Sequence, residues 1–472
     1  MKILLISPLL APSRVPEVYN IGLGYVGAAL RAAGHQVDLL DIEGNRYAEA
    51  QVEELLKDKD FEVAAIGTLV TGFKYMKWLT ALIRRLKPGV KIWVGNSIGS
   101  TIPETILREM PVDVVVMGEG EVTAVELAAA TAAGKGPAGV NGTAYLEDGQ
   151  VKRNPDRELI ENLDGIAMPA WDLFNQDLYI HSPTGILPSP RAYVITTRGC
   201  PYQCTYCYHP FQNQRIRAHS AERVVAEIKL LKERYGIRGI VFGDDLFTVD
   251  KKRVREVCRL LIEGNVGVKW MAAARVNTVD LELLTYMREA GCVALGFGVE
   301  SASPVILKNI KKHATAEQAA AAIKACREAG IYPACSFMIG NVGETRETVE
   351  ASVRFMTEND LPPTDFFFST PYPGTELYEY AKAKGLIKDE AALFGCYAEQ
   401  GAKLLVNFTD MSDEELIALR KEATARVAAD YRRRHPLLWA RDQAAFLAYY
   451  IGRFGLKTTA QKVAKKIFKL AA

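Results

Sequence analysis

The sequence contains no apolar run of the roughly 20 residues that a membrane-spanning helix requires, and its first residues lack the pattern of a secretory signal peptide. It also contains no repeat of solenoid length and no low-complexity tract. The net charge is only +2, which gives no overall reason to expect nucleic acid as a partner. We therefore predict a globular, cytoplasmic protein that does not bind nucleic acid.

Cysteine is scarce, with eight residues in a chain of 472, and it is distributed unevenly. Cys200, Cys204 and Cys207 lie close together in the chain, whereas the other five cysteines are isolated. A disulfide framework is unusual in a cytosolic protein of this length, so the cluster indicates metal binding or catalysis. The isolated cysteines are predicted to be ordinary packed residues.

The length of the chain predicts two or three domains rather than a single hydrophobic core. Over residues 1–150, short apolar strands alternate with amphipathic helices, which predicts an α/β domain with a flavodoxin-like (Rossmann-like) parallel sheet. The predicted strands are Lys2–Ser7, Gln36–Asp41, Glu62–Thr68, Lys91–Val94 and Val112–Met117. A stretch rich in Pro and Asp, residues 151–190, is predicted to be a linker wrapped over the surface.

From residue 191 the alternation begins again and gives six successive βα units. The predicted strands are Tyr193–Thr197, Gly239–Gly243, Lys269–Arg275, Val293–Val299, Ala334–Ile339 and Asp365–Thr370. This pattern predicts a partial (β/α)6 barrel of the TIM type over residues 191–375, with its functional groups at the carboxyl ends of the strands. Residues 376–472 are predicted to form a helical C-terminal region.

The three clustered cysteines directly follow the first predicted barrel strand, within the segment Arg198–Cys207. Three thiolates on one short loop can converge on a soft metal centre. Two centres fit these residues, namely a zinc ion with His209 as fourth ligand, or an iron–sulfur cluster with one iron left open. The loop resembles the CxxxCxxC motif of the radical SAM superfamily, including the aromatic Tyr206 before the last cysteine.

This resemblance implies that the three cysteines bind a four-iron four-sulfur cluster. With an electron from an external donor such as flavodoxin or ferredoxin, the cluster would cleave S-adenosylmethionine (SAM) to a 5′-deoxyadenosyl radical. Motifs at other strand ends continue the resemblance and imply contacts with SAM. The residues concerned are Tyr206 in the loop, Asp244 for the methionine amine, Arg275 for a carboxylate of SAM or substrate, Glu300 for the ribose or methionyl part, and Gly340 near adenine. Asp245 has the alternative role of capping the next helix, and Val342 stands where relatives usually have proline.

The N-terminal half contains a GxGxxG string, Gly22–Gly27, which does not predict a nucleotide site here. A dinucleotide-binding fingerprint needs these glycines directly after the first strand, whereas here about a dozen residues intervene. The glycines instead indicate close packing of a helix on the sheet.

Other N-terminal segments resemble the cobalamin-binding domain that precedes the barrel in one radical SAM subfamily. They are Gly34–Asp41, the turn Val94–Ser97 and Met117–Glu121. The resemblance implies cobalamin at the carboxyl ends of the strands, near Ser97, Gly118 and Glu119. The sequence departs from that domain in two ways, because Asn96 replaces a common glycine and no Asp-x-His-x-x-Gly string offers a histidine below the cobalt.

The C-terminal residues 431–472 are strongly basic, with ten Lys or Arg residues against the single acid Asp442. The segment therefore has a net charge of +9, and the remainder of the chain has −7. Apolar groups interleave with the charges, which fits either contact with anionic lipid at the membrane surface or a helical lid packed on the barrel. The first interpretation favours a lipid-like substrate.

The combined motifs predict a radical SAM enzyme that modifies an unactivated carbon of a lipid-like or other organic small molecule. Cobalamin-dependent C-methylation, by a methyltransferase, is the predicted reaction. The nearest alternative is a radical cyclase, carbon–carbon coupling enzyme or oxidase of the same subfamily that does not methylate. The alternative from another class is a non-catalytic, zinc-stabilised binding module.

Overall fold

A computed structural model describes residues 1–10, 19–179, 186–208, 215–397, 401–445, 447–448, 451 and 456. The strands of its N-terminal part are β1 (Lys2–Ser7), β2 (Gln36–Asp41), β3 (Val63–Gly67), β4 (Lys91–Gly95), β5 (Val114–Val116), β6 (Thr143–Glu147) and β7 (Gln150–Arg153). The helices are α1 (Ile21–Ala32), α2 (Ile42–Asn45), α3 (Glu49–Asp58), α4 (Phe73–Leu86), α5 (Ser97–Thr101), α6 (Pro103–Glu109) and α7 (Gly120–Ala132).

The N-terminal strands form one sheet in the order β2-β1-β3-β4-β5-β6-β7. β1 to β5 are mutually parallel, which confirms the predicted flavodoxin-like α/β arrangement. β6 and β7 add an antiparallel edge that the alternating pattern did not predict. The parallel strands bring the carboxyl ends of β1, β3, β4 and β5 to one edge, where open α/β sheets bind their ligands.

The glycines of Gly22–Gly27 lie inside α1 rather than in a loop. A Cβ atom on Gly27 would lie 2.9 Å from the side chain of Leu173 and 3.0 Å from that of Leu5. These glycines therefore allow α1 to pack closely on the sheet, in agreement with the sequence-based interpretation.

The segment before the barrel, predicted to be a linker wrapped over the surface, buries three aromatic side chains. Trp171, Phe174 and Tyr179 are each at most 3% exposed, and they share a core cluster with barrel residues. The ring of Tyr19, just before α1, makes edge contacts with Trp171 and Phe174. These aromatic side chains join the N-terminal sheet to the barrel, and their burial depends on contacts that the local sequence pattern does not reveal.

The second half contains the predicted partial barrel. Its strands are β8 (Arg191–Val194), β11 (Gly239–Phe242), β12 (Lys269–Ala274), β13 (Cys292–Glu300), β14 (Tyr332–Ile339) and β15 (Phe366–Phe368), and β9 (Thr197–Arg198) and β10 (Arg217–Ala218) form a separate antiparallel ribbon. The helices are α8 (Ala221–Tyr235), α9 (Lys251–Glu263), α10 (Leu281–Glu289), α11 (Pro304–Asn309), α12 (Ala316–Glu328) and α13 (Arg346–Glu358). All neighbouring barrel strands are parallel, so the six predicted βα units are confirmed.

The C-terminal region contains the helices α14 (Glu376–Ala383), α15 (Glu390–Cys396) and α16 (Asp413–Arg434). α15 reaches the N-terminal domain, where the ring of Phe394 lies 5.5 Å from that of Phe73. α16 packs against α13 and buries Leu416 and Leu419 there. Among the described residues, no helix is both long enough and apolar enough to span a membrane.

Candidate active site

The cysteine loop is closed at its base by the ribbon of β9 and β10, in which Arg198 pairs with Arg217. Gly199 begins the loop with a φ of 98°, and a Cβ there would lie 2.6 Å from the carbonyl oxygen of Arg215. Only glycine fits both this conformation and this close approach. The loop thus leaves the end of the first barrel strand with a fixed direction.

The three thiols form one electrostatically coupled group. Cys204 is buried, and Cys200 is half-buried. Although Cys207 as a residue remains open to solvent, the surrounding protein and the neighbouring Cys204, Asp245 and Cys200 raise the pKa of its thiol to about 12. Such thiols become thiolates only beside a compensating positive charge, which is what an iron–sulfur cluster supplies.

Among the described residues, no three His, Cys, Asp or Glu side chains converge closely enough to hold one metal ion. His209, the fourth ligand of the zinc hypothesis, lies outside the described residues. Three thiols on one short loop match the three-cysteine ligand set of an iron–sulfur cluster, whereas a zinc site would need a fourth protein ligand.

Arg275 follows the end of the third barrel strand, β12, and is turned towards the loop. Its Nη1 atom lies 3.6 Å from the Sγ atom of Cys204, and its guanidinium lies 3.6 Å from the ring centroid of Tyr202. The residue is only 8% exposed, and within the described chain its Nε and Nη2 atoms find no hydrogen-bond partner. A buried guanidinium that has two donors without a partner can bind a carboxylate.

A second group holds the loop to the fourth barrel strand, β13. The Tyr206 hydroxyl donates to Glu300 Oε1 over 3.1 Å, and Lys312 Nζ donates to the same oxygen over 3.2 Å. Glu300 has a φ of 67°, a strained value for a residue other than glycine, and the strand register shifts just before it. A Cβ on Gly298 would lie 2.2 Å from Glu300 Oε1, so this glycine makes room for the folded-back carboxylate.

The two adjacent aspartates at the end of β11 have different surroundings. Asp244 is buried and accepts hydrogen bonds from the Thr196 amide (2.5 Å), the Thr196 hydroxyl (2.5 Å) and the Thr197 amide (2.8 Å). Its carboxylate therefore shapes the chain just before the loop. Asp245 is exposed and close enough to raise the pKa of the Cys200 and Cys207 thiols, after the effect of burial. Asp245 does not cap the next helix, α9, because Asp250 is its N-cap residue.

The turn after the fifth barrel strand, β14, is built around a buried carboxylate. Glu344 accepts the amide hydrogens of Gly340 (2.5 Å) and Asn341 (2.9 Å), and Gly340 itself has a φ of 82°. Burial raises the pKa of Glu344 to about 7, although these hydrogen bonds oppose the shift. The Gly-Glu-Thr motif thus fixes the backbone at Gly340. With Val342 in place of proline, the turn still has the hydrogen bond from the Glu344 amide to the Asn341 carbonyl oxygen.

The carboxyl edge of the N-terminal sheet lies next to the cysteine loop. Asn96, after β4, has φ 72° and ψ −164°, a conformation suited to glycine, and its side chain accepts the amide hydrogen of Ser97 over 2.6 Å. Gly118, after β5, has a φ of 71°, and a Cβ there would meet nothing within 4 Å, so the space above it is open. Both turns lie at the carboxyl edge of the sheet, and Glu119, the residue after Gly118, accepts a hydrogen bond from Arg198 of the ribbon.

The two halves meet directly beside Cys207. A Cβ on Gly374 would lie 2.8 Å from the ring of Tyr208 and 3.0 Å from the side chain of Thr101. The Tyr208 side chain also forms a hydrogen bond with that of Ser100. The carboxyl edge of the N-terminal sheet therefore lies beside the cysteine loop.

Comparison with known proteins decides between the two metal centres. Residues 194–356 match the Radical SAM superfamily, and residues 9–128 match the B12 binding domain. An uncharacterized methyltransferase of Pyrococcus horikoshii is 36% identical over 395 residues, which cover 82% of this chain and 84% of the relative. The chain belongs to the radical SAM superfamily.

This radical SAM protein is also similar in sequence to a named methyltransferase and a named cyclase, and similar in fold to a solved structure. Cytidylyl-2-hydroxyethylphosphonate methyltransferase of Streptomyces wedmorensis is 27% identical over 489 residues, covering 92% of this chain and 90% of the relative. Anaerobic magnesium-protoporphyrin IX monomethyl ester cyclase of Rubrivivax gelatinosus is 28% identical over 367 residues, covering 76% and 65%. The structure of TsrM from Kitasatospora setae, with cobalamin and a [4Fe-4S] cluster bound, shares the fold with a TM-score of 0.69 at 20% identity over 82% of this chain and 78% of that one.

Membership of the radical SAM superfamily confirms the prediction of an enzyme that uses a four-iron cluster and SAM. The B12-binding match confirms the predicted subfamily and its cobalamin cofactor. The alternative of a non-catalytic, zinc-stabilised module has no support from these matches. The features that the sequence did not single out are Lys312, Tyr202 and the ribbon partner Arg217, because their roles depend on contacts between distant segments.

Proposed function

We propose that this radical SAM enzyme is a cobalamin-dependent methyltransferase that acts on an unactivated carbon of a small organic molecule. The observation that carries the proposal is the hydrogen bond between the side chains of Tyr208, beside Cys207, and Ser100 in α5 at the carboxyl edge of the N-terminal sheet. It brings the ligand edges of both domains to one place. When bound, the cluster and SAM supply the 5′-deoxyadenosyl radical, and methylcobalamin supplies the methyl group. In this proposal residues 1–150 form the cobalamin-binding domain, 151–190 the linker, 191–375 the radical SAM barrel, and 376–472 the helical, basic C-terminal region.

On the barrel side, Cys200, Cys204 and Cys207 are the proposed cluster ligands. Arg275 is the proposed partner of the SAM carboxylate, because its Nε and Nη2 donors are idle within the described chain. Asp245, exposed beside the thiols, is the proposed partner of the methionine amine, and buried Asp244 supports the loop behind it. Tyr206 and Glu300 are the proposed neighbours of the ribose or methionyl part of SAM, and Gly340 is the proposed neighbour of adenine.

On the N-terminal side, Ser97 and Gly118 are the proposed neighbours of the corrin. Gly118 leaves open space at the sheet edge, and Ser97 begins α5 directly after the strained Asn96. We propose that no histidine of the chain binds the lower face of the cobalt. If no histidine held that face, bound cobalamin would be reduced more readily, which would suit methyl transfer from SAM.

A test of this function does not require the substrate. Anaerobic protein is loaded with cluster and cobalamin, reduced to the cob(I)alamin form and mixed with SAM. We expect the absorption spectrum of methylcobalamin to appear with one equivalent of S-adenosylhomocysteine. Electron paramagnetic resonance (EPR) of the cob(II)alamin form should lack hyperfine coupling to a histidine nitrogen. Protein that cleaves SAM but retains no corrin would contradict the proposal and favour the non-methylating cyclase, coupling enzyme or oxidase, a class to which the Rubrivivax gelatinosus relative belongs by name.

We also propose a peripheral contact of the C-terminal region with anionic membrane and, with it, a lipid-like substrate. Arg434 forms an ion pair with Asp360, and His435 Nε2 forms a hydrogen bond with the same carboxylate, so the start of this region is anchored to the barrel. Residues 436–445 continue as a helix on which Leu437 is 84% exposed. Residue 446 and most of 449–472 lie outside the described residues, so the lid interpretation is supported only for the anchored start.

Sedimentation with anionic liposomes tests the membrane contact. A truncation after His435 keeps both contacts with Asp360 and removes the basic segment. We expect the full-length protein to sediment at low salt and to be released near 1 M salt, where the Debye length is about 3 Å. The truncated protein should stay in solution throughout. Equal behaviour of both forms would contradict the contact.

We further propose an external electron donor of flavodoxin or ferredoxin type and a cytoplasmic location.

A further inference from the structure

Two arginines face each other at the base of the cysteine loop. Arg198 in β9 and Arg217 in β10 are direct partners across the ribbon that closes the loop. Both guanidinium groups are buried, with side chains 11% and 2% exposed. Like charges placed opposite each other in a ribbon repel, and burial strengthens the repulsion because little water screens it. The ribbon therefore requires a negative group between the two arginines.

Glu119 of the N-terminal domain provides that group. Its Oε1 atom accepts from Arg198 Nη1 at 2.6 Å and from Arg217 Nη1 at 2.9 Å, and its Oε2 atom accepts from Arg217 Nη1 at 2.8 Å and from the Ile160 amide at 2.7 Å. Glu121 pairs with the other end of the Arg198 guanidinium. Burial alone would raise the pKa of Glu119, but the hydrogen bonds from Arg217 and Arg198 hold it below the ordinary value. Both oxygens of this carboxylate are thus engaged within the protein.

We infer that Glu119 is a positioning residue that fixes the cluster-binding loop relative to the cobalamin-binding edge. It stands between Gly118, at the open sheet edge, and α7, and it holds both strands of the ribbon from which the cysteines emerge. This inference rests on the proposed function, because it assigns Glu119 to the spacing between two cofactors rather than to contact with the corrin. A radical and a methyl donor must reach the same substrate carbon, so a loose spacing would misalign them.

The test measures the distance between the two paramagnetic centres. Holoenzyme containing reduced cluster and cob(II)alamin is studied by pulsed dipolar EPR. Glu119→Gln keeps the size of the side chain but removes the charge between the arginines. We expect the wild type to give a narrow cluster–cobalt distance distribution and the variant a broader one, with unchanged corrin affinity. Hydrogen exchange of the ribbon amides should become about tenfold faster, because the bridging carboxylate is lost.

Glu126→Gln is the matched control, since Glu126 lies on α7, the helix that follows Glu119, and pairs with Arg157. It should leave the distance distribution and the exchange rates unchanged. Glu121→Gln, which removes one contact of Arg198 and keeps the bridge, should broaden the distribution less and serves if Glu119→Gln does not fold. An unchanged distance distribution in both Glu119→Gln and Glu121→Gln would overturn the inference. Loss of corrin affinity in Glu119→Gln would overturn it as well. Wild-type protein that binds no corrin would instead overturn the proposed function.

Discussion

The Nη1 atom of Arg275 lies 3.6 Å from the Sγ atom of Cys204, at the point where a barrel strand ends beneath the cysteine loop. This contact places a permanent positive charge beside a proposed cluster ligand. Because two further donors of the guanidinium have no partner in the described chain, Arg275 can bind an anion without releasing the thiol.

Replacing Arg275 by Met should weaken SAM binding by about tenfold to a hundredfold, the range expected for loss of a charge-assisted pair with a carboxylate. Equilibrium dialysis with labelled SAM measures the affinity, and iron content shows whether the cluster is retained. Arg255→Met, at an exposed pair with Glu282, is the control and should bind SAM normally. Normal SAM affinity in Arg275→Met with an intact cluster would refute the role.

Gly298→Ala should disturb the loop, because the new Cβ would lie 2.2 Å from Glu300 Oε1 and 3.0 Å from Lys312 Nζ. The displaced carboxylate would release Tyr206, so we expect lower cluster content after reconstitution. Gly296→Ala, two residues earlier on the same strand, is the control, since its Cβ would only come within 3.8 Å of the Ala272 carbonyl oxygen. Iron and sulfide analysis measures the cluster content of both variants. Equal cluster content in Gly298→Ala and Gly296→Ala would disprove the steric argument.

The adjacent aspartates should separate folding from binding. Asp244→Asn replaces an acceptor of three hydrogen bonds with a group that has only one acceptor oxygen, so the thermal midpoint and the cluster yield should both fall. Asp245→Asn should keep the thermal midpoint and the cluster yield of the wild type but lose SAM affinity. Thermal denaturation and SAM dialysis of the two variants provide the comparison. If Asp244→Asn alone lost SAM affinity while staying fully stable, the assignment would be reversed.

Stability should depend on pH through Glu227. Burial raises its pKa to about 7, against the opposing effects of Arg223 and the Trp171 hydrogen bond, whereas the ordinary value is 4.5. The folded state thus binds a proton more readily than the unfolded state, so stability is highest at low pH and falls as pH rises from about 4.5 through 7, by on the order of 3 kcal/mol. Glu227→Gln cannot ionise, and its amide oxygen can still accept from Trp171. Its thermal midpoint should therefore decline less between about pH 5 and pH 8 than that of the wild type; parallel declines would contradict the assignment.

Features encoded by local spacing could be predicted from the sequence. The strands Gly239–Phe242 and Lys269–Ala274 were predicted to within one residue, because short apolar runs alternate regularly with helices. The cysteine loop was identified because its three thiols are close in the chain. Its position at the end of a strand followed from the barrel pattern alone.

Features that depend on distant contacts were not predictable. Glu119 was assigned to the corrin, yet its carboxylate engages Arg217, 98 residues away in the chain. Lys312 carries no motif and gains its role only where its chain segment passes Glu300. Asp244 and Asp245 are identical in type, so only the fold distinguishes the buried one from the exposed one.

The central claim, that the three clustered cysteines bind the cluster that cleaves SAM, is tested most directly by product analysis. Protein reconstituted anaerobically with iron and sulfide is incubated with SAM and a strong reductant, and 5′-deoxyadenosine is measured beside the EPR signal of the reduced cluster. We expect the wild type to show a four-iron signal and to form 5′-deoxyadenosine. The variant in which Cys200, Cys204 and Cys207 are all replaced by Ala should show neither. Formation of 5′-deoxyadenosine by the triple variant, or its absence from wild type that contains the cluster, would contradict the account.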